Sequence, residues 1–240
     1  MFPILDENPI RVTPWVTYML IILMVGAFLA EIIAGEAGER AFYSFGFVPA
    51  VFFGNAGLPG TLALIPEPLT LLTYVFLHGS LIHLAGNVLY LWVFGNNVEE
   101  ALGRSRFILF FLLCGAGSAL LQGVLNDTSP VPMVGASGAI SGVLGAYLLL
   151  FPRAKILVVI PLVIILYPTR LAASWVLGLW FLLQLAEALM SDPNQPGIAW
   201  WAHFGGFSMG LLLVCLLHRR EFPLFGRGNP PKGLGGTAPF

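Results

Sequence analysis

Two polar residues in the second half of the chain, Ser137 and His203, have side chains that could carry out nucleophilic catalysis together. A serine hydroxyl is a weak nucleophile until a neighbouring base removes its proton, and histidine, with an unperturbed pKa of about 6.5, is the usual base. Ser137 lies in a Gly-Ala-Ser-Gly string, and His203 is followed by glycines three and seven residues later. The pair predicts acyl-transfer chemistry, with Ser137 as the nucleophile and His203 as the base.

Donors for the oxyanion of such a reaction are also present in the sequence. An acyl-transfer intermediate needs preorganised hydrogen-bond donors, and the candidates are the His83 imidazole, the Asn87 amide and the backbone N–H of Ser137 at the start of its helix. Asn87 follows His83 by one helical turn, so both side chains share a helical face. His78 and Ser141 are weaker, accessory candidates, and His78 is expected to be solvated at the entrance of its segment.

A third, acidic member of a triad is not evident. Glu187 is the only candidate carboxylate in the last four apolar segments. It is better explained as a charge at the membrane interface than as a partner of the base. The sequence therefore predicts a Ser137/His203 dyad.

Each candidate residue also has a structural explanation. Strings such as Gly-x-Ser-Gly arise where helices pack through small residues, and an intramembrane histidine can join two helices by a hydrogen bond. Zinc hydrolysis is not supported because no histidines have His-Glu-x-x-His spacing, and neither a metal nor another cofactor is expected. A proton-coupled transporter using His83 and His203 stays open, although it assigns residues 135 to 142 no role except packing.

The elements that must position these side chains are membrane helices. Of the 240 residues, 58% are hydrophobic and only 10% are charged, and the mean hydropathy of +0.87 lies far outside the soluble range. A hydrocarbon core of about 30 Å needs roughly 20 apolar residues per helix. The sequence thus predicts an all-α polytopic membrane protein, a six-helix bundle. The predicted spans are residues 15–33, 69–98, 107–125, 131–151, 171–190 and 197–217.

Basic residues indicate the orientation of these spans. Short cytoplasmic loops carry the excess of Lys and Arg. With both termini inside, ten of the eleven basic residues lie on the inner side and only Arg40 lies outside. The apolar run 156–167 is too short to span and contains Pro161, so it is expected to be a surface-lying or extended inner connection.

This orientation places the candidate residues at one depth. Spans two, four and six begin on the outer side, so His83, Ser137 and His203 share a level in the outer half of the membrane. Small residues line one face of span four, and the glycines of span six lie on the same face as His203. Close packing of the two faces would bring Ser137 near His203.

The remaining segments carry less information. Residues 1–14 are expected to form an N-terminal cytoplasmic segment, 15–218 the membrane domain, and 219–240 a flexible Gly/Pro-rich cytoplasmic tail. The net charge of −1 gives no case for nucleic-acid binding.

Together the motifs resemble those of the rhomboid family of intramembrane serine proteases in its six-span form. The Gly-Ala-Ser-Gly string around Ser137 resembles the family's nucleophile motif, and Ala-His-x-x-Gly-x-x-x-Gly around His203 resembles its base motif. His78-x4-His83-x3-Asn87 resembles its span-two signature. The similarity extends over spans two to six.

The resemblance implies an intramembrane serine endopeptidase with acyl-enzyme chemistry, in which His83 and Asn87 assist the oxyanion. It implies transmembrane protein substrates, which enter sideways from the membrane lipid between spans two and five and are cut near the outer membrane face. Trp175, Trp180 and Phe181 are then candidates for a substrate gate in span five, with lipid contact as their alternative role. It also implies a multi-pass protein of the bacterial plasma membrane, with its active site opening to the outer side.

Two features depart from the family pattern. Residues 36–69 lack the Trp-Arg pair that is often found in the first outer loop. Ser141 stands where the family often has an aromatic residue that packs on the base. The alternative function is that of a non-catalytic rhomboid-like protein that binds transmembrane helices for quality control, although such a protein is expected to lack Ser137 or His203.

Overall fold

The computed structural model describes residues 2–162, 165–190 and 199–226. Within these residues the chain forms nine α-helices and three β-strands. The helices are α1 (Trp15–Ala34), α2 (Glu36–Phe45), α3 (Pro49–Phe52), α4 (Glu67–Thr73), α5 (Leu81–Leu102), α6 (Arg104–Leu125), α7 (Ser137–Leu150), α8 (Ala173–Met190) and α9 (Trp200–Leu217). The strands are β1 (Phe2–Asp6), β2 (Lys155–Leu162) and β3 (Ile165–Ala172).

Helix length and composition identify the elements that can cross a membrane. In the described parts of the chain, α1, α6, α8 and α9 are each long and apolar enough to do so. Helices α4 and α5 qualify only together, as a pair bent by 83°. Helix α7 is apolar but has 14 residues. The protein is thus a mostly helical polytopic membrane protein with four to five candidate spans, where six were predicted.

Two predicted spans have different bounds in the structure. The predicted span 69–98 is broken, because a 3-10 turn (Tyr74–Phe76) follows α4 and the next helix starts only at Leu81. The predicted span 131–151 becomes helical only at Ser137, after Gly135 adopts a φ of +113°. The other four predictions agree with α1, α6, α8 and α9 to within three residues.

Helix α7 lies in the centre of the bundle. All of its residues from 138 to 147 are buried. It packs against α9 through glycines: a side chain at Gly206 would overlap the carbonyl oxygen of Gly138, and one at Gly210 would overlap that of Gly142. Such an approach of two helix backbones requires small residues on both sides. The two small-residue faces that the sequence predicts to pack together therefore do so.

A buried carboxylate joins α1 to α5. Glu99 accepts hydrogen bonds from the backbone N–H groups of Val16 (3.0 Å) and Thr17 (2.7 Å), and from the Thr17 hydroxyl (2.8 Å). These N–H groups lie in the first turn of α1 and have no partner within the helix. Because the N-cap residue Pro14 offers no side-chain acceptor, Glu99 takes over the capping role.

Strands β1, β2 and β3 form an antiparallel sheet of order β1-β2-β3, so the all-α prediction is wrong in this respect. The described residues of the apolar run 156–167 are extended, as expected, and those in β2 pair with β1 at the beginning of the chain. Asp6 of β1 accepts a hydrogen bond from the Tyr147 hydroxyl of α7 at 2.8 Å, and Glu7 forms an ion pair with Arg170 of β3. Local periodicity does not reveal this sheet, because its strands come from distant parts of the sequence.

Candidate active site

Ser137 is the first residue of α7, so its position is set by the loop that leads into the helix. In that loop the N–H of Gly135 donates a hydrogen bond to the carbonyl of Tyr74 at 2.9 Å, which ties the loop to the 3-10 turn before α5. Among the described residues no side chain caps α7. The first N–H groups of a helix lack partners within it and favour negative charge, which suits an oxyanion.

His203 lies in the first turn of α9 and is buried. Its Nε2 is 2.9 Å from the Oγ of Ser137, so the structure brings together the two residues predicted as nucleophile and base. The close glycine contacts between α7 and α9 make this distance possible. Its other ring nitrogen, Nδ1, is hydrogen-bonded to the Oε1 of Gln184 on α8.

Two tryptophans pack on the imidazole of His203. The ring centroid of Trp180 lies 6.2 Å from that of His203, at an interplanar angle of 37°, and the ring of Trp200 meets it edge-on at 5.8 Å. The hydroxyl of Ser141 donates a hydrogen bond to the carbonyl of Ser137 at 2.7 Å. Aromatic packing on the base is thus supplied from α8 and α9, whereas Ser141 bonds to the backbone of its own helix.

His78, His83 and Asn87 form a cluster beside the loop that precedes Ser137. His78 is only 1% exposed, so the expectation that it is solvated is wrong. The Phe76 carbonyl can only accept, so Nδ1 of His78 donates to it at 3.1 Å, and Nε2 accepts from Nδ2 of Asn87 at 2.9 Å. The ring centroid of His83 lies 5.2 Å from that of His78.

The start of α5 places His83 near Ser137. The Ser80 hydroxyl accepts a hydrogen bond from the backbone N–H of His83 at 3.2 Å, which caps the helix and puts His83 in its first turn. A side chain on Gly135 would overlap the His83 ring and approach the Asn87 amide. The predicted oxyanion residues therefore border the loop that carries Ser137.

The three candidate gate residues on α8 have different surroundings. Trp175 is 75% exposed, as lipid contact requires. Trp180 packs on His203, and Phe181 stacks on Phe207 of α9 with ring centroids 4.4 Å apart. Trp175 is therefore directed away from the bundle, whereas Trp180 and Phe181 pack α8 against α9.

Sequence reasoning missed Gln184 and Trp200 as neighbours of the base. A signal for Gln184 was available, because it is an uncharged polar residue in the middle of an apolar helix, where a polar side chain needs a partner. Trp200 precedes His203 by three residues, which is a helical neighbour position. Glu187, the only carboxylate considered for this place, is exposed.

The fold and the site together define a polytopic helical membrane protein with a serine and a histidine in contact between two central helices. The Rhomboid domain family model matches residues 66–220, which is more than half of the chain. The chain therefore belongs to the rhomboid family.

Curated relatives of the chain include plant and bacterial proteins. It is 31% identical to RHOMBOID-like protein 1 of Arabidopsis thaliana over 68% of this chain and 38% of that protein. It is 37% identical to Rhomboid protease GluP of Bacillus subtilis over 56% of this chain and 24% of that protein. Rhomboid protease GlpG of Salmonella paratyphi A is 25% identical over 89% of this chain and 66% of that protein. The chain thus spans less than half the length of the first two.

Proposed function

We propose that this chain is an intramembrane serine endopeptidase that cleaves transmembrane-helix substrates near the outer membrane face. The observation that carries the proposal is the 2.9 Å distance between Ser137 Oγ and His203 Nε2. At that distance the imidazole can remove the hydroxyl proton as the oxygen attacks a carbonyl carbon. Two of the relatives, GluP and GlpG, bear the name of rhomboid proteases, which supports the same reaction.

The proposed reaction has two halves. Ser137 Oγ attacks the scissile carbonyl while its proton passes to Nε2 of His203, and the carbonyl oxygen becomes an oxyanion. The imidazolium then gives the proton to the leaving amine as the C–N bond breaks, which leaves an acyl group on Ser137. Water, deprotonated by His203, releases the second fragment and restores the serine hydroxyl.

The oxyanion needs donors at the position where its charge develops. We assign this role to the imidazole of His83, the amide of Asn87 and the backbone N–H of Ser137. The hydrogen bond between Asn87 and His78 supports the assignment for Asn87. One N–H of the Asn87 amide donates to Nε2 of His78, and the second N–H is left to donate to an oxyanion.

The proposed topology has six spans, with both termini on the cytoplasmic side that carries the basic residues. Helix α7 is the short fourth span, since its 14 residues extend about 21 Å, less than a hydrocarbon core of about 30 Å. Irregular backbone at membrane depth is tolerated where protein surrounds it, and the burial of α7 meets that condition. In this arrangement 15–218 is the membrane domain, and residues 227–240 of the tail lie outside the described residues.

The proposed location is a bacterial plasma membrane, with the site opening to the outer side. We expect substrate helices to enter from the lipid past α8, which is the least buried of the four long apolar helices. Trp180 and Phe181 must then give way or move with the helix, because both pack on α9.

The test uses purified protein in liposomes with a membrane-spanning substrate that carries Ala or Gly near its outer end. The wild-type chain should produce two fragments and should be labelled by a fluorophosphonate, which reacts with activated serines. Ser137→Ala should lower the rates of substrate cleavage and of fluorophosphonate labelling by at least about 1,000-fold, because no other group supplies the nucleophile. Ser208→Ala is the matched control, in which a half-buried serine of the helix that carries His203 is removed, and it should retain cleavage.

Two outcomes would contradict the assignment. Cleavage that persists in Ser137→Ala would exclude this serine as the nucleophile. Binding of the substrate helix by the wild-type chain, without cleavage or labelling, would instead support the non-catalytic helix-binding function.

A further inference from the structure

The His203 side chain has a partner on each ring nitrogen, and only one of them belongs to the predicted dyad. Nε2 faces the Ser137 hydroxyl at 2.9 Å, and Nδ1 is hydrogen-bonded to Oε1 of Gln184. Gln184 lies on α8 and is half-buried, one turn before the exposed Glu187. An amide oxygen thus occupies the place that a carboxylate holds in a catalytic triad.

An amide oxygen has only one way to bond to an imidazole nitrogen. It accepts and cannot donate, so Nδ1 must carry the proton, and the lone pair of the neutral ring lies on Nε2. This is the tautomer that can take the proton of the Ser137 hydroxyl. With the other tautomer, Nε2–H would face Ser137 and the base would be unavailable.

The aromatic neighbours of His203 cannot make this selection. Trp180 packs on the ring face and Trp200 meets it edge-on, which restricts the plane of the imidazole. Such contacts do not distinguish a ring nitrogen from a ring carbon after a 180° flip. Among the described contacts of the ring, the hydrogen bond with Gln184 defines both the flip and the tautomer, because the amide presents Oε1 to Nδ1.

We propose that Gln184 is the positioning residue for His203, the neutral third member of a Ser137–His203–Gln184 arrangement; this rests on the proposed protease function. Gln184 holds Nδ1–H and leaves Nε2 free to accept, and it continues to accept from Nδ1–H when the ring becomes an imidazolium. Because it carries no charge, it orients the base without the added attraction of a carboxylate. Among the described residues, the titratable group whose charge acts on the ring is His83 of α5, whereas Glu187 of α8 is exposed.

The experiment compares Gln184→Met and Gln184→Glu with the wild-type chain in liposomes. Methionine is close to glutamine in size but offers no comparable acceptor, so kcat for cleavage and the fluorophosphonate labelling rate should fall about 10- to 100-fold with little change in KM. Glutamate keeps an acceptor oxygen and adds a charge that stabilises the imidazolium. Gln184→Glu should therefore stay active, with the acidic limb of its pH–rate profile moved to higher pH by about one unit or more.

The matched control is Gln122→Met. Gln122 of α6 accepts a hydrogen bond from the backbone N–H of Ala202 at 3.1 Å, so it also joins a neighbouring helix to α9 beside His203, but through the backbone. Its replacement should lower the melting temperature without moving the pH–rate profile. The melting temperature of every variant is measured in the same detergent, and rates are compared at a temperature at which all of them are folded.

Three results would overturn the proposal. Gln184→Met could be labelled at the wild-type rate with the wild-type pH profile, or Gln184→Glu could show an unshifted profile. If Gln184→Met does not fold, the pH–rate profile of Gln184→Glu decides the question alone. If the wild-type chain itself is labelled no faster than Ser137→Ala, the proposed function fails first, and the role of Gln184 fails with it.

Discussion

At the scale of single residues, Gly135 determines how closely the oxyanion candidates approach Ser137. Its φ of +113° is one that residues with side chains rarely adopt, and a Cβ at this position would overlap the ring of His83. The glycine therefore serves two purposes, since it turns the chain into α7 and leaves room for the histidine. Sequence reasoning assigned it to a packing stripe and to the nucleophile motif, but not to contact with His83.

We predict that Gly135→Ala will reduce cleavage by about 100-fold, because displacement of a catalytic group by about 1 Å can have that effect. The control is Gly86→Ala on α5, where an added methyl group meets open space. Both variants are assayed by fluorophosphonate labelling and substrate cleavage in liposomes. Wild-type rates in Gly135→Ala would show that the space at residue 135 is not needed for the reaction.

At the scale of elements, the contact between α7 and α9 sets the distance from Ser137 to His203. A Cβ at Gly210 of α9 would overlap the carbonyl of Gly142, and one at Gly145 of α7 would overlap the carbonyl of Phe207, so neither helix can accept a side chain there without moving. The sequence reveals this contact in advance, because small residues recur at helical spacing on both helices. The bend between α4 and α5 was not foreseen, because hydropathy averaged over the segment does not register the four residues, 77–80, between the 3-10 turn and α5.

Gly210→Ala should lower the stability of the folded protein by about 1–3 kcal/mol, the usual cost of overpacking a tight contact. Gly178→Ala on α8 is the matched control, because its added methyl group meets nothing within 4 Å. It should be stabilising by about 0.5–1 kcal/mol through the higher helix propensity of alanine. Thermal unfolding in detergent, followed by circular dichroism, measures both changes. Equal melting temperatures for the two variants would contradict the close contact between α7 and α9.

At the scale of the whole molecule, the N-terminal strand connects the sheet to the central helix. Asp6 of β1 is buried and accepts a hydrogen bond from the Tyr147 hydroxyl on α7, and β1 also pairs with β2. Burial raises the pKa of Asp6 from 3.8 to about 6, because the charged carboxylate loses solvation, although the Tyr147 hydrogen bond opposes this rise. The connection between the strand and the bundle should therefore respond to pH.

The sign of this response follows from proton binding. The folded state holds the Asp6 proton more tightly than the unfolded state, so its contribution to stability is complete below pH 3.8 and is lost as the pH rises through about 6. A shift of this size corresponds to about 3 kcal/mol. Asp6→Asn keeps an acceptor for Tyr147 but does not titrate. Melting temperatures between pH 4 and pH 7 should fall more steeply in the wild type than in Asp6→Asn, and parallel curves would contradict the prediction.

The sequence by itself determined that the chain is a helical membrane protein and which residues could form its site. Hydropathy and residue spacing are local properties, so they identified four long helices to within three residues and predicted that His83, Ser137 and His203 share a level in the membrane. The structure adds that each of the three lies in the first turn of its helix. Asn87 followed from the helical repeat. The motifs around these residues led to the rhomboid family, to which the chain belongs.

Only the tertiary structure decided which side chains surround the base and where the ends of the chain pair. The bond from Gln184 to His203 depends on how α8 and α9 are rotated about their axes, and the pairing of β1 with β2 depends on chain closure between distant segments. Neither the hydrogen bond nor the strand pairing is a local property. Each depends on the relative position of two distant elements, and that position is set by the packing of the whole bundle. For the same reason the sequence shows that Ser141 stands where the family often has an aromatic residue. It does not show that Trp180 and Trp200 pack on His203 instead.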